Sequence, residues 1–111
     1  MAKPIIITME DGKEYTLEFD REAVTYAERI GFSMDDIDSK MMNRVPELFW
    51  LAFRKNHPKV TKKDADHILF DELGGAWEEL ITRLGDLFAD GYTSLVNEEE
   101  QPKNPKVRVL L

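Results

Sequence analysis

The sequence predicts an α+β fold, with an N-terminal β-hairpin followed by about four α-helices and a flexible C-terminal tail. In the first twenty residues, apolar and polar side chains alternate on both sides of one turn, which is typical of two paired strands. After that, apolar residues recur at intervals of three and four, between helix-capping residues and Gly or Pro breaks. We expect a single domain over residues 1–96 and a tail over residues 97–111.

The hairpin register follows from the turn, which ends at Gly12. A two-residue loop would mix apolar and polar residues on both faces of the hairpin. A three-residue loop with Gly12 in the left-handed conformation instead pairs Ile7 with Tyr15 and Ile5 with Leu17, so that one face is continuously apolar. Because an isolated hairpin is marginal in water, this face must lie on the helices or on another subunit.

The first helix is predicted to start at an N-cap, Asp20, and to end near Ile30, before Gly31. The pattern is less clear over residues 32–43, where Ser33 can cap a short turn. The apolar stripe predicted for the first helix is Ala23, Val24, Ala27 and Ile30.

Pro46 fits the first turn of a second helix, which residues 56–58 end. Six consecutive apolar residues, 48–53, give this helix no polar side. A helix that is apolar all round is either the central core helix or is partly covered by a partner, and the sequence leaves both alternatives open.

Thr61 and Asp64 form a capping-box pattern that starts the next helix, and Gly74 and Gly75 break it. The last helix follows from Trp77 towards Leu95. The apolar residues at helical spacing in these two segments are Ala65, Ile68, Leu69 and Leu73, then Trp77, Leu80, Ile81, Leu84, Phe88 and Leu95.

Composition limits the possible functions. The chain has 22 acidic and 15 basic residues and a formal net charge of -7, which opposes contact with nucleic acid or anionic membranes. There is no cysteine, so disulfides, thiolate metal sites and cysteine nucleophiles are excluded. No secretory signal and no apolar run of about 20 residues is visible. We therefore expect a soluble cytoplasmic protein.

The sequence carries no pattern of an active site. His57 and His67 belong to different elements and are interpreted as surface polar residues. No paired histidine spacing, nucleophile elbow or glycine-rich phosphate loop is present. We therefore expect a protein that is not an enzyme, without catalytic residues, a cofactor or a metal.

A Met-rich and aromatic set is the best candidate for contact with another protein, because such side chains adapt to different partners. Most of this set should form the core. The residues predicted to contact a partner are Met41, Met42, Trp50 and Phe53, with Arg54, Lys55, Lys62 and Lys63 at the rim.

DNA binding is the alternative function, because the basic residues precede two helices separated by Gly74 and Gly75, as in a helix-turn-helix. The second of these helices is acidic, however. It carries Glu78, Glu79, Asp86 and Asp90 against Arg83 alone, so a DNA groove would repel it.

Five segments of the chain carry a resemblance to a known family: residues 17–24 (LEFDREAV), 30–33 (IGFS), 35–37 (DDI), 46–53 (PELFWLAF) and 56–58 (NHP). Their order and spacing resemble the tail assembly chaperones of long-tailed, siphovirus-type phages and prophages of Gram-positive bacteria. The resemblance implies a hairpin followed by helices and self-association into a homo-oligomer. It also implies binding to the tape-measure protein and tail-tube subunits in the host cytoplasm during assembly.

Overall fold

Two strands and four helices form the part of the chain that the computed structural model describes, residues 2–93 and 95. This order confirms the predicted α+β fold, whereas the predicted tail, residues 97–111, lies outside the described residues. The elements are β1 (Ile5–Thr8), β2 (Glu14–Leu17), α1 (Arg21–Arg29), α2 (Met41–Leu51), α3 (Lys62–Asp66) and α4 (Glu78–Thr93), with a 3-10 turn at Met34–Asp36 and a π-helical segment at His67–Glu72.

The hairpin register is confirmed. β1 and β2 are antiparallel, with Ile7 opposite Tyr15 and Ile5 opposite Leu17. Gly12 closes the three-residue loop at φ 89°, a conformation that suits glycine because it has no Cβ.

The apolar face of the hairpin packs on the helices, which decides between the two alternatives that the sequence left open. Ile5, Ile7 and Leu17 are buried in the same cluster as apolar residues of all four helices. The helical members of this cluster include Ala23, Val24, Ala27, Leu48, Phe49, Leu51, Ala65, Leu80, Leu84, Leu87 and Phe88.

Helix α1 begins and ends as its local signals predict. The Asp20 carboxylate accepts a hydrogen bond from the Ala23 backbone N–H at 2.8 Å, which satisfies one of the free donors of the first turn. At the other end, Gly31 adopts φ 91° and the Phe32 N–H donates to the Ala27 carbonyl at 2.9 Å. This is a Schellman-type termination.

Helix α2 begins five residues before the predicted start, so the placement of Pro46 in the first turn was wrong. Met41 is the first helical residue and Pro46 lies inside the helix. Pro46 cannot donate the backbone hydrogen bond that would reach the Met42 carbonyl. Pro46 is itself buried, as are Val45 and Leu48, and this packing offsets the lost bond. The apolar run 48–53 makes α2 the central core helix.

Helix α3 starts with the predicted capping box, in which Thr61 and Asp64 exchange side-chain and backbone hydrogen bonds. The Asp64 N–H donates to Thr61 Oγ1 at 3.1 Å, and the Thr61 N–H donates to the Asp64 carboxylate at 3.2 Å. The hydrogen bond from the Thr61 N–H lowers the pKa of the Asp64 carboxyl below its ordinary value. The π-helical segment continues the chain from α3 to Glu72, and Gly74 and Gly75, with φ 77° and 110°, follow it and break the helical stretch as predicted.

Ile30, Trp77 and Leu95 were predicted to lie in apolar stripes but are exposed, at 40%, 49% and 77%. Ile30 is the C-cap of α1, Trp77 precedes α4 and Leu95 follows it. All three residues therefore lie just outside a helix, where the helical spacing that would bury them does not apply.

Candidate protein-binding site

The start of helix α2 presents two of the predicted contact residues to solvent. Met41 is 47% exposed and Met42 is 85% exposed. They border an apolar groove of about 190 Å³ between α2, the π-helical segment and the beginning of α4. Besides these two, the groove is lined by Val45, Pro46, Leu69, Phe70, Ala76 and Ile81. We call this surface the methionine groove.

The π-helical segment places Phe70 in the methionine groove. Its wider turn is visible in the backbone, where the Leu73 N–H donates to the Ile68 carbonyl at 2.9 Å. Ile68 and Leu69 point into the core, which leaves the adjacent Phe70 50% exposed. Insertions of this kind in helices are frequent at functional sites. The sequence signal for an exposed apolar residue here was the run of three consecutive apolar residues, 68–70, because three neighbours on one helix cannot all face the same core.

Two acidic residues follow the groove residue Phe70. Asp71 and Glu72 both contact the imidazole of His67, at 2.8 Å and 3.4 Å. The basic residues beside the groove, Lys40 and Arg44, are paired with carboxylates of Asp36 and Glu47. The surface around the groove therefore favours a partner with basic residues beside its apolar ones.

Phe53 was predicted to contact a partner, and the structure corrects this. Its side chain is 0% exposed and packs edge-on against Tyr15 and Phe49, with ring centroids 5.4 Å and 5.1 Å apart. Six consecutive apolar residues point in different directions around the helix axis, so some of them must point into the core. Phe53, which follows the end of α2, is one of these.

Trp50 is half-buried and is held by the protein itself. Its indole N–H donates to the Val60 carbonyl at 3.1 Å, and its ring lies edge-on to Tyr26 with centroids 6.2 Å apart. Trp50 therefore ties α2 to the chain that leads into α3, and it does not line the methionine groove.

The predicted basic rim does not surround the methionine groove. Arg54 stacks over the Tyr26 ring at 3.6 Å, and it follows the opposite end of α2 from Met41. Lys55 pairs with Glu18 at 3.3 Å. Within helix α3, Lys62 forms a 2.7 Å ion pair with Asp66, while Lys63 is exposed. The eight predicted contact residues are thus not brought together in one site.

Lys63 instead lines a separate, larger cavity of about 880 Å³ between the hairpin and the start of α3. Lys13 and Lys59 also line it, together with His57 and His67. The only carboxylate in this lining is Asp64, which is engaged in the capping box. The lining of this cavity therefore carries a net positive charge, in a chain of net charge -7.

His57 was interpreted as a surface residue, but it has a structural role that the sequence did not reveal. Its Nε2 accepts a hydrogen bond from the Thr16 backbone N–H at 2.9 Å, and its ring lies 5.1 Å from that of Tyr15. Nε2 must be unprotonated to accept this bond. His67 is exposed, as expected.

Among residues 2–93 and 95, no group of three or more His, Asp or Glu side chains is placed to hold a metal ion. In the same residues, no helix is both long and apolar enough to cross a membrane.

Comparison with known families matches the whole chain, residues 1–111, to one family profile. The chain belongs to the DUF5055 family. The family is described as a domain of unknown function. Neither the curated proteins nor the solved structures give a significant match to this DUF5055 chain.

Proposed function

We propose that this DUF5055 protein is a non-enzymatic phage tail assembly chaperone that binds an apolar helical segment of its partner in the methionine groove. The observation that carries this proposal is the exposure of Met42 and Phe70, 85% and 50%, beside a groove without a polar lining residue. Exposed apolar surface that is bordered by charge is typical of protein-binding sites. The partners that the resemblance implies are the tape-measure protein and the tail-tube protein, in the host cytoplasm.

The groove suits a helix that presents a few large apolar side chains. Methionine side chains are flexible and polarizable, so they can adapt to different sequences along a long helical partner. Helix-in-groove recognition uses apolar anchors at helical spacing, three to four residues apart. A chaperone that holds a long apolar chain in solution needs such tolerance more than it needs a single high-affinity sequence.

The charge around the groove defines the partner further. Asp71 and Glu72 are exposed after Phe70, whereas Lys40 and Arg44, beside groove residues of α2, are paired with Asp36 at 3.9 Å and 3.2 Å. The preferred segment therefore carries Lys or Arg next to its apolar face. Association with such a segment should weaken as salt screens these exposed charges.

The test is co-expression with a tape-measure fragment, followed by size-exclusion chromatography with light scattering. We expect self-associated protein that binds the fragment and keeps it in solution. The variants Met42→Ala and Phe70→Ala should each weaken binding by about 1–2 kcal/mol, or roughly five- to thirtyfold in Kd. Tyr92→Ala is the matched control, because Tyr92 is as exposed as Phe70, at 53%, and lies outside the groove.

A strictly monomeric protein that leaves the fragment insoluble would refute the chaperone function. Equal losses of affinity in Phe70→Ala and Tyr92→Ala would refute the assignment of the groove. The same preparation tests the alternative function, a small DNA-binding regulator. A gel shift at low salt that disappears as salt rises would favour the regulator over the chaperone.

A further inference from the structure

The cavity of about 880 Å³ between the hairpin and the start of α3 is separate from the methionine groove, because none of the described residues lines both. Its charged lining residues are Lys13, Lys59, Lys63 and Asp64. The lysines come from three parts of the chain, which are the end of the hairpin turn, the loop before α3 and the first turn of α3. We call this surface the basic cavity.

The lysines of the basic cavity are exposed and have no acidic partner. Among residues 2–93 and 95, Lys13, Lys59 and Lys63 form no ion pair, whereas Lys55 and Lys62 each pair with a carboxylate, at 3.3 Å and 2.7 Å. A cleft that is lined by one sign of charge raises the local concentration of an oppositely charged ligand. The basic cavity is therefore suited to a negatively charged ligand.

Asp64, the carboxylate among the described lining residues, is already engaged. It accepts a hydrogen bond from the Thr61 N–H at 3.2 Å in the capping box. One carboxylate offsets only part of the charge of three lysines. The lining keeps a net positive charge even with both of its histidines neutral.

The wall of the basic cavity beside strand β2 is fixed by hydrogen bonds to Thr16. The Thr16 N–H donates to His57 Nε2 at 2.9 Å, and the Asn56 side-chain amide donates to the Thr16 carbonyl at 3.1 Å. Because Nε2 of His57 is an acceptor, the proton of the neutral ring is on Nδ1. The ring of His57 lines the cavity, so its N–H is a further donor for an anionic ligand.

The basic cavity also has apolar surface next to its cations. The Tyr15 ring is half-buried and packs edge-on against Phe53, with centroids 5.4 Å apart. The Lys13 ammonium lies 5.2 Å from the centre of the Tyr15 ring. Met9 and Ile68 line the cavity as well. A ligand that matches this lining combines negative charge with an apolar group.

The size and the layout of the cavity favour a peptide over a single inorganic anion. Its volume is near the upper end of the range of about 300–1,000 Å³ that is typical of ligand pockets, so one phosphate would fill a small part of it. Arginine forks and clustered backbone N–H groups are typical of phosphate sites, and the described lining contains no arginine. Separate lysines on three segments instead match several carboxylates that are spaced along a chain.

A nucleic-acid strand fits this surface less well than a short peptide. The exposed residues Glu10, Asp11 and Glu14 lie on the hairpin turn and the start of β2, next to Lys13 in the chain. A strand that continued past the cavity would bring its phosphates towards these carboxylates, in a protein of net charge -7. A peptide can place a few carboxylates on the lysines and end there.

We propose that the basic cavity binds an acidic segment of a partner protein, in which Asp or Glu residues flank an apolar residue. The carboxylates of the segment pair with Lys13, Lys59 and Lys63, and its apolar side chain packs against Tyr15. The chemistry is opposite to that of the methionine groove, which favours basic residues. Binding at the basic cavity does not depend on the chaperone function.

The test is a fluorescence anisotropy titration of the full chain at low salt with a labelled peptide of alternating Glu and Leu. We expect saturable binding, and no binding of the same peptide with Gln in place of Glu. An exposed ion pair contributes a factor of about two to five, and charge reversal adds a repulsion of similar size, so Lys63→Glu should raise Kd about four- to twentyfold. Lys3→Glu is the matched control, because Lys3 is also exposed and lies outside the cavity.

Three results of this titration would overturn the proposal. The first is the absence of saturable binding of the Glu-containing peptide. The second is an equal loss of affinity in Lys3→Glu and Lys63→Glu, which would show attraction to the whole surface. The third is displacement of the peptide by inorganic phosphate or by an oligothymidine strand at a lower concentration than unlabelled peptide requires, which would assign the cavity to a phosphate ligand or to nucleic acid.

NMR chemical shifts of the amide groups locate the bound peptide independently of any substitution. The largest changes on addition of the peptide should lie at Lys13, Tyr15 and Lys63. Larger changes at Met42 and Phe70 would place the peptide in the methionine groove and contradict the assignment of the basic cavity. Phe70→Ala should bind this peptide as tightly as the wild-type protein does, so failure of the groove and failure of the cavity give different results.

Discussion

The contact between helices α1 and α4 depends on Gly91, and replacing it provides a quantitative test of the fold. A Cβ atom at this position would lie 2.8 Å from Val24 Cγ2, 3.0 Å from the Asp20 carbonyl oxygen and 3.2 Å from Phe19 Cβ. The carbonyl oxygen and the Phe19 Cβ cannot move by side-chain rotation. The substitution Gly91→Ala therefore has to separate the two helices or displace the N-cap of α1.

The magnitude follows from two opposing contributions. Overpacking of this kind costs about 1–3 kcal/mol, and we expect the upper part of this range because backbone must shift. Alanine gains up to about 1 kcal/mol in helix propensity over glycine, less near a helix end such as position 91. Gly91→Ala should thus lower the free energy of unfolding by about 2 kcal/mol. At about 4 °C per kcal/mol, Tm should fall by roughly 8 °C.

Gly85→Ala is the matched control on the same helix. The nearest atom to its added Cβ is Met34 Cε at 3.7 Å, an ordinary contact with the flexible end of a side chain. This variant should gain the propensity contribution without the clash and become about 0.5–1 kcal/mol more stable.

The assay is urea unfolding monitored by Trp fluorescence and circular dichroism for the wild-type protein, Gly91→Ala and Gly85→Ala. Equal m-values for these three proteins would show that they expose similar surface on unfolding, so that their free energies can be compared. Equal stability of Gly91→Ala and Gly85→Ala, or stabilisation by both, would refute the close approach of α1 and α4 at Gly91.

Two further predictions concern the edge of β2. His57→Phe keeps a ring but removes the acceptor for the Thr16 N–H, so the free energy of unfolding should fall by about 1–3 kcal/mol. His57→Gln keeps an acceptor, so amide exchange at Thr16 should remain slow in this variant and become fast in His57→Phe; equal rates would contradict the bond. The pKa of the Glu18 carboxyl is lowered, mainly by the hydrogen bond from Asn56. Ionised Glu18 therefore stabilises the fold above the ordinary Glu pKa of about 4.3, and this contribution is lost as pH falls through the lower pKa of the folded state. The stability difference between the wild-type protein and Glu18→Gln should be full at neutral pH and shrink in acid, and a difference independent of pH would contradict this.

Local signals predicted the ends of several elements correctly. Gly12, Asp20 and Thr61 each act through atoms no more than three or four residues away, so their turns and caps can be read from the sequence. Pro46 shows the limit of this reasoning. Its fixed φ is compatible with both the first turn and the interior of a helix, and only the burial of Pro46 and its neighbours decides that α2 starts earlier.

The candidate site could be predicted only in part. Met41 and Met42 are exposed, but Phe53, from the same Met-rich and aromatic set, is buried. Phe70 was missed because three consecutive apolar residues, 68–70, indicate that one of them is exposed but not which one, and the π-helical turn decides that. His57 was missed because its partner, Thr16, is 41 residues away in the chain.

The sequence by itself determined the α+β class, the hairpin register and most of the caps and breaks, because alternation, helical spacing and capping act over short distances. Only the tertiary structure decided which side of each apolar segment faces the core. It also brought Met42 to Phe70 across the methionine groove and closed the outer edge of β2 with His57 and Asn56. These outcomes depend on contacts between residues far apart in the chain, and the energies of such contacts are not encoded in any local pattern.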